Sequence, residues 1–341
     1  MSRRTRTTAG LVAAALLLGA CSGSTSMPSE ITAEVTQTTT GTTTAPLRDC
    51  TTAEEDAVPA TASYPALDPM PEPGEMPPRS TMARILSEGR LVVGVSGDTL
   101  LFGARNPFTT QIEGFDIDIL TEVANAIFGE DGAKHIEYKV ITYADRIPKL
   151  EARNVDIVAH TMTINCRRWL RINFSTVYFW AGQKVLVKTG SGYRSIDDFE
   201  PSALGGVVCA PNGSTNIDKM AADYPDIEVI GKDDISDCLV AMQQGEADAT
   251  TGDDTVLAGF AAQDPNTEVV GDESGKAFTD EPYGLGMNKD DVDFVQFVNG
   301  VLAEIRDNGR YDEIVQKWLI DTNALDNVTP VPPPDYSRPL P

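Results

Sequence analysis

A permanently charged side chain follows an apolar strand in the stretch VDIVAHTMTINCRRWLRINFS, residues 155–175. Val155 and Ile157 begin this strand, and a second apolar strand follows at residues 172–174. Between them stands Arg168, whose planar guanidinium can contact a carboxylate through two parallel hydrogen bonds. A strand end followed by a helix start also favours an anion, because backbone N–H groups are exposed there. The pattern indicates a carboxylate site, and the alternative is a solvated arginine at a helix start.

Two other stretches place polar side chains directly after apolar strands. In APNGST, Ser214 and Thr215 precede a helix, where their hydroxyl and N–H groups can bind an anion, cap the helix, or do both. In ADATTGDD, Asp253 ends a strand and offers a carboxylate to a cation, unless Asp253 and Asp254 both cap the next helix. Ligands of parallel α/β sheets bind at such carboxyl ends of strands.

Length and composition set broad limits on the kind of protein. The 341 residues suffice for two ordinary domains, and 41 % hydrophobic with 23 % charged residues is typical of a globular chain. The formal net charge of −24 argues against nucleic acid as a partner, because a strongly acidic chain repels phosphate backbones.

The N-terminus has the pattern of an export signal. Three arginines precede an apolar run at residues 11–18, which is too short to anchor stably across a bilayer. Small residues before Cys21 resemble a bacterial lipobox, which predicts a signal peptide at residues 1–20 and a diacylated Cys21. The alternative is an ordinary signal peptide with an incidental cysteine. A flexible or extended spacer rich in Ser, Thr and Pro is expected at residues 21–79, and a Pro-rich tail at 326–341.

Four cysteines remain if Cys21 carries lipid, namely Cys50, Cys166, Cys209 and Cys238. An even number in an exported protein predicts two disulfides, and the sequence alone leaves three connectivities open. The chain has no CxxC spacing and only two histidines, so we expect neither a zinc site nor another cofactor.

Strands alternate with helices along the body of the chain, which predicts an α/β fold. Seven motifs also occur there in one order: LVVGV, EGFDIDI, NVDIVAHTMTINCRR with INFS, YF with AGQKVLV, VVCAPNGST, ADATTGDDTVL and NGRYDEIVQKW. Together they resemble the extracellular solute-binding proteins of polar amino-acid ABC transporters, over about residues 88–320. The lipobox, the spacer and the cysteine positions are most similar to actinobacterial glutamine-binding lipoproteins.

This resemblance implies a two-lobe, type II periplasmic-binding-protein-like fold with two crossing hinge strands. The first lobe would comprise residues 80–181 and 286–325, and the second residues 188–279. The hinge strands would be AGQKVLV and EPYGLGM. Ligand binding would close the lobes on each other.

The resemblance further implies an amino-acid ligand and a role for each candidate residue. Arg168 and Thr163 would bind the α-carboxylate together with Ser214 and Thr215. The carbonyl of Thr161 and the carboxylate of Asp253 would bind the ammonium. We interpret the acids of GFDIDI as structural, because negative charge suits a helix N-terminus.

Three further residues would contact the ligand side chain. The ring of Tyr143 would pack on the ligand, or else cover the core. Phe102 and Arg105 lie in the loop after the first strand, where Arg105 could pair with a side-chain carboxylate or simply be solvated. A pairing role for Arg105 would favour glutamate or aspartate as ligand.

The lobe assignment also implies which cysteines pair. Cys209 and Cys238 both fall in the second lobe, which leaves Cys50 to pair with Cys166 and attach the N-terminal extension to the first lobe. A bridge between Cys166 and the second lobe would cross the cleft and hinder closure.

The implied function is capture of a polar amino acid of the Glu/Gln/Asp/Asn class by a monomer attached to the membrane of a bacterium, with an ABC permease as partner. One alternative is a sensor lipoprotein that signals through a membrane partner. The other is a dehydratase on the same scaffold, which would need a general acid or base in the cleft. We expect no catalysis, since the candidate residues include no histidine and no Ser-His-Asp arrangement.

Overall fold

The computed structural model describes residues 47–322 and 328–341. The export signal, Cys21 and the spacer up to residue 46 lie outside the described residues, so lipidation of Cys21 stays a prediction. In the part that is described, no helix is long and apolar enough to cross a membrane.

Fifteen strands form four sheets within the described ranges. The strands are β1 (Leu91–Val95), β2 (Asp98–Thr99), β3 (Gly103–Arg105), β4 (Ile112–Glu113), β5 (Ile136–Val140), β6 (Ile157–Ala159), β7 (Ile172–Phe174), β8 (Phe179–Ala181), β9 (Gln183–Lys188), β10 (Val207–Pro211), β11 (Glu228–Lys232), β12 (Ala249–Asp253), β13 (Thr267–Val270), β14 (Glu281–Tyr283) and β15 (Gly286–Asn288). The α-helices are α1 (Thr52–Ala57), α2 (Thr81–Glu88), α3 (Phe115–Phe128), α4 (Arg146–Glu151), α5 (Cys166–Trp169), α6 (Thr215–Asp223), α7 (Ile235–Gln244), α8 (Asp254–Ala261), α9 (Val292–Asp307) and α10 (Arg310–Val315).

Each of the two lobes is built around a five-stranded sheet, which confirms the predicted two-lobe α/β fold class. The first sheet has the order β5-β1-β6-β15-β7, and the second has the order β11-β10-β12-β9-β13. Three neighbouring strands of each sheet run parallel, while the returning strands β15 and β9 pair antiparallel with their neighbours. The carboxyl ends of β6, β10 and β12 lead into the three predicted ligand-contact segments.

The hinge differs in part from the prediction. Strand β14 of EPYGLGM pairs with β8, whose residues precede most of the AGQKVLV stretch. From Gln183 onward that stretch is β9 of the second sheet, because Val185 and Val187 are buried in the second lobe's core. The second sheet therefore begins earlier than residue 188.

The Pro-rich extension and the tail are packed on the first lobe, although we expected loose chain at both ends. Tyr64 and Met76 belong to the first lobe's apolar core. The backbone N–H of Ser63 donates to the carbonyl of Asp335 at 2.9 Å. The guanidinium of Arg338 lies 3.6 Å from the ring centroid of Trp169. Apolar and cation–π contacts thus fix both termini of the described chain to one surface.

Both disulfides expected from the resemblance are present. Cys50 pairs with Cys166 at a sequence separation of 116, and Cys209 pairs with Cys238 at a separation of 29. The first links the N-terminal extension to α5, and the second links β10 to α7.

We predict that the two disulfides differ in their contribution to stability. In the chain-entropy model, a longer closed loop removes more conformations from the unfolded chain, about 5 kcal/mol for Cys50–Cys166 and about 4 kcal/mol for Cys209–Cys238. Denaturant unfolding of Cys50→Ser/Cys166→Ser and of Cys209→Ser/Cys238→Ser measures both values. A larger loss for the shorter loop would contradict this expectation.

Candidate ligand-binding site

Arg168 lies in the short helix α5, which follows β6, and is almost fully buried, with 3 % of its surface exposed. Its backbone N–H donates to the side chain of Asn165 at 2.9 Å, which fixes the start of α5. Its Nη1 donates to the carbonyl of Thr163 at 2.6 Å, and its Nη2 donates to the carbonyl of Gly213 at 3.3 Å. Burial, and then the charge of Arg146, lowers the pKa of Arg168 to about 9, so the group is still charged at neutral pH.

A second buried arginine, Arg146, lies beside Arg168 and was missed by the sequence analysis. It begins α4 and is 2 % exposed. Its guanidinium donates to the carbonyls of Tyr143 and His160 at 3.0 Å each and to that of Gly213 at 3.1 Å. Burial lowers the pKa of Arg146. The available signal was its position, since Arg146 follows a strand and starts a helix as Arg168 does.

Neither guanidinium has an anionic partner in the described ranges, where their acceptors are backbone carbonyls. Buried charges in proteins are normally paired, because an unpaired buried ion loses much hydration energy. Both arginines line one cavity of about 180 Å³. The other lining residues that matter here are Leu47, Tyr143, Met162 and Gly213. The cavity is therefore built to receive a negative group.

A larger cavity, of about 520 Å³, lies elsewhere on the first lobe. Its charged lining residues are Glu72, Glu122, Glu130 and Glu304. They supply no positive charge for a carboxylate, so we place the candidate site at the smaller cavity.

Two buried carboxylates, Asp253 and Glu281, lie near enough to Arg146 and Arg168 for their charges to act on the pKa of both arginines. Asp253 is 6 % exposed and accepts from the side-chain amide of Asn216 at 2.8 Å and from the hydroxyl of Tyr283 at 2.5 Å. Burial, and then the negative charge of Glu281, raises the pKa of Asp253 to about 7. Glu281 itself is 3 % exposed on strand β14. The sequence analysis treated that strand only as a hinge and missed this acid.

The threonine hydroxyls point toward Glu281. Oγ1 of Thr163 donates to Glu281 Oε2 at 2.5 Å, and Oγ1 of Thr215 donates to the same oxygen at 2.7 Å. The two hydroxyl oxygens lie 3.2 Å apart. Thr163 and Thr215 thus meet across the cleft as expected, but their hydroxyl protons serve a protein carboxylate.

Thr161 and Ser214 are close to the site. The backbone of Thr161 and the hydroxyl of Ser214 are hydrogen-bonded, whereas the buried hydroxyl of Thr161 has no hydrogen-bond partner among the described residues. Thr161 has φ of 42°, its N–H donates to Asp116 Oδ2 at 3.1 Å, and its carbonyl accepts from Arg146 at 3.4 Å. Burial raises the pKa of Asp116 to about 7. The hydroxyl of Ser214 donates to the carbonyl of Pro211 and caps α6, so the capping alternative is realised for that hydroxyl.

Of the three residues predicted to contact the ligand side chain, Tyr143 lies at the site, whereas Phe102 and Arg105 do not. Tyr143 lines the cavity, and the Arg146 guanidinium lies 4.7 Å from its ring centroid. Phe102 is instead buried in the first core, edge-on to Phe179 at 5.1 Å. Arg105 is exposed and donates to the carbonyl of Thr110 at 2.7 Å, because it ends β3 on a surface hairpin. The structure therefore brings Arg146, and not Arg105, to Arg168.

Gly213 of the second lobe lies close to the backbone of Ala144 in the first. It adopts φ of +77°, and a Cβ there would lie 2.7 Å from the Cα of Ala144. Only glycine accepts both the left-handed conformation and this contact without displacement. Its carbonyl also accepts from both arginines, which connects the second lobe to the positive end of the cleft.

The cleft thus has two cations at one end and two carboxylates nearby. A small zwitterion matches this arrangement, because it carries negative charge suited to the arginines and an ammonium suited to the carboxylates. Such sites fix a ligand through a few convergent polar groups in a largely enclosed cavity. The described residues contain no group of His, Cys, Asp and Glu that could hold a metal ion.

Comparisons with known proteins identify relatives of this chain. The glutamine-binding protein GlnH of an ABC transporter of Bacillus subtilis is 37 % identical over 246 residues, which cover 72 % of this chain and 87 % of that protein. The glutamate-binding protein GluB of Corynebacterium glutamicum is 30 % identical over 244 residues, covering 70 % of this chain and 82 % of that protein.

A solved structure shows the same fold. An ancestral arginine-binding protein bound to glutamine matches with a TM-score of 0.61 and 28 % identity, covering 68 % of this chain and 98 % of that chain. A family model for bacterial extracellular solute-binding proteins, family 3, matches residues 91–321. The chain belongs to this family of extracellular solute-binding proteins.

Proposed function

We propose that the protein captures a polar amino acid of the Glu/Gln/Asp/Asn class outside the membrane and delivers it to an ABC importer. The observation that carries this proposal is the pair of buried arginines without anionic partners in the described ranges, next to two buried carboxylates. Glutamine- and glutamate-binding relatives support the same ligand class.

Each charged group has a proposed role in ligand binding. Arg168 binds the α-carboxylate, and Asp253 binds the ammonium. Arg146 binds an oxygen of the ligand side chain, in place of the role first expected for Arg105. Tyr143 covers the ligand from the first lobe. Because Arg146 adds a full positive charge at the side-chain end, we propose that glutamate or aspartate is preferred over its amide.

The proposal extends to the location of the protein. We propose that Cys21 carries the lipid anchor, that the protein acts as a monomer, and that the partner is a permease in the same membrane. The spacer before residue 47 would give the anchored protein reach to that permease. The actinobacterial origin inferred from the sequence pattern stays an expectation.

We predict that the two arginines affect ligand binding differently. Arg168→Ala should weaken binding of every amino acid by at least about 30-fold, because removing one partner of a buried charge pair costs roughly 2–5 kcal/mol. Arg146→Met should weaken L-glutamate by about 10–100-fold and L-glutamine less, because only glutamate loses a hydrogen-bonded pair in which both partners are charged. Calorimetric titration of both ligands measures these effects.

Arg105→Ala is the matched control, since this exposed arginine contacts only its own hairpin. It should leave both affinities unchanged. Normal binding by Arg168→Ala would show that the site is misplaced. A loss of glutamate selectivity in Arg105→Ala with none in Arg146→Met would restore the role first expected for Arg105.

We also predict a pH dependence that originates at Asp253. With a pKa of about 7 in the ligand-free protein, Asp253 is mostly protonated below pH 7, yet only its carboxylate attracts an ammonium. Binding below pH 7 must therefore release this proton. The association constant should rise with pH by up to about tenfold per unit below pH 7 and level off above it.

Calorimetry in buffers of different ionisation enthalpy counts the released protons. Asp116→Asn provides the control, because Asp116 is the other buried acid with a pKa of about 7 near the site. Proton release should persist in that variant. An affinity that is flat from acid to neutral pH, or proton release that disappears in Asp116→Asn, would contradict the assignment to Asp253.

A further inference from the structure

Glu281 is a buried acid on the hinge, and no known role explains its charge. It begins β14 and pairs with Ala181 of β8 in the two-stranded sheet between the lobes. Only 3 % of its surface is exposed. No ion pair to Glu281 occurs among residues 47–322 and 328–341, and its direct contacts are hydrogen bonds. The charges of Arg168 and Arg146 act on it from a greater distance.

Three hydroxyl groups donate to the Glu281 carboxylate. Oε2 accepts from Thr163 at 2.5 Å and from Thr215 at 2.7 Å, while Oε1 accepts from Thr279 at 2.7 Å. Thr163 follows β6 of the first lobe, and Thr215 begins α6 of the second. One carboxylate therefore connects both lobes to the hinge.

These hydrogen bonds determine whether the hydroxyls of Thr163 and Thr215 can donate or only accept a hydrogen bond from a ligand. A hydroxyl has one proton and two acceptor lone pairs, and an ionised carboxylate only accepts. Because Glu281 takes the protons of Thr163 and Thr215, both hydroxyl oxygens are left as acceptors. An acceptor cannot hydrogen-bond a ligand carboxylate, but it can accept from an ammonium.

The neighbouring acid, Asp253, also favours binding of a cation at this position. Asp253 lies close enough for the charge of Glu281 to raise its pKa, so two like charges share one buried cleft. A cation between them would relieve this repulsion. The guanidinium groups of Arg146 and Arg168 donate to backbone carbonyls and, in the described residues, form no hydrogen bond to either acid.

We propose that Glu281 is a specificity-determining residue that, with Asp253 and the oriented hydroxyl of Thr163, selects ligands carrying an α-ammonium. This inference rests on the proposed amino-acid function and deepens it. Recognition of the α-carboxylate then falls to Arg168 and backbone N–H groups, instead of the threonine hydroxyls. Glu281 also rejects dicarboxylates that lack an amine, because they would add negative charge beside two buried acids.

The test compares L-glutamate with glutarate, the same dicarboxylate without its amine, by calorimetry and competition on the full chain. The wild type should bind L-glutamate far more tightly than glutarate. Glu281→Gln keeps the size and one acceptor but removes the charge. It should weaken L-glutamate by about 10–100-fold and leave glutarate unchanged or tighter.

Asp280→Asn is the matched control, because this exposed acid precedes Glu281 and contacts only Trp180. It should leave the affinity ratio unchanged. Thr163→Val is a second variant, should Glu281→Gln fail to fold, and it should also weaken L-glutamate selectively.

Equal weakening of both ligands in Glu281→Gln or Thr163→Val would show that Glu281 is only a structural brace of the hinge and would overturn the inference. An unchanged ratio of the L-glutamate and glutarate affinities in Glu281→Gln would overturn the inference as well. Failure of the proposed function is distinguishable, since the wild type would then bind no amino acid at all. If the wild type prefers L-glutamine, glutaramic acid replaces glutarate as the analogue without an α-amine.

Discussion

The proposed site depends on two buried guanidinium groups whose hydrogen-bond acceptors, among the described residues, are all backbone carbonyls. Arg146 and Arg168 lose most of their hydration in the folded protein, and burial lowers the pKa of each. A buried cation without an anion is unfavourable, so the fold itself supplies a site whose stability improves when a carboxylate arrives. In the proposed binding mode, the amino-acid ligand supplies the negative charge that these two arginines lack.

The architecture around these arginines explains how a ligand couples to the lobes. Both guanidinium groups donate to the carbonyl of Gly213, which belongs to the other lobe. Glu281 makes the equivalent connection at the acidic end, since it receives hydroxyls from both lobes. The polar groups that we propose recognise a zwitterion therefore also join the lobes, and in this proposal ligand binding and cleft closure share one set of contacts.

The sequence predicted the parts of this arrangement that depend on local pattern. Arg168 and Asp253 were identifiable because each follows an apolar strand and starts a helix. The sequence did not show which of Arg146 and Arg105 lies near Arg168, because both follow strands. Arg105 is directed outward by the surface hairpin of β3 and β4, which only the structure shows. The burial of Tyr64 and Met76 could not be predicted from the sequence either, since a Pro-rich composition does not show which surface a segment packs on. Glu281 was not predicted as a site residue, because EPYGLGM was interpreted only as a connecting hinge strand and its acidic side chain was not considered.

Direct binding of free amino acids by the wild-type chain tests the central claim. A thermal-shift screen against the twenty amino acids, followed by calorimetry of each hit, would measure it. A ligand that binds only the native state adds about 4 kcal/mol of stability at a thousandfold excess over Kd. The account predicts a large upward shift with L-glutamate or L-aspartate and a smaller one with their amides. The absence of a shift with every amino acid would contradict it.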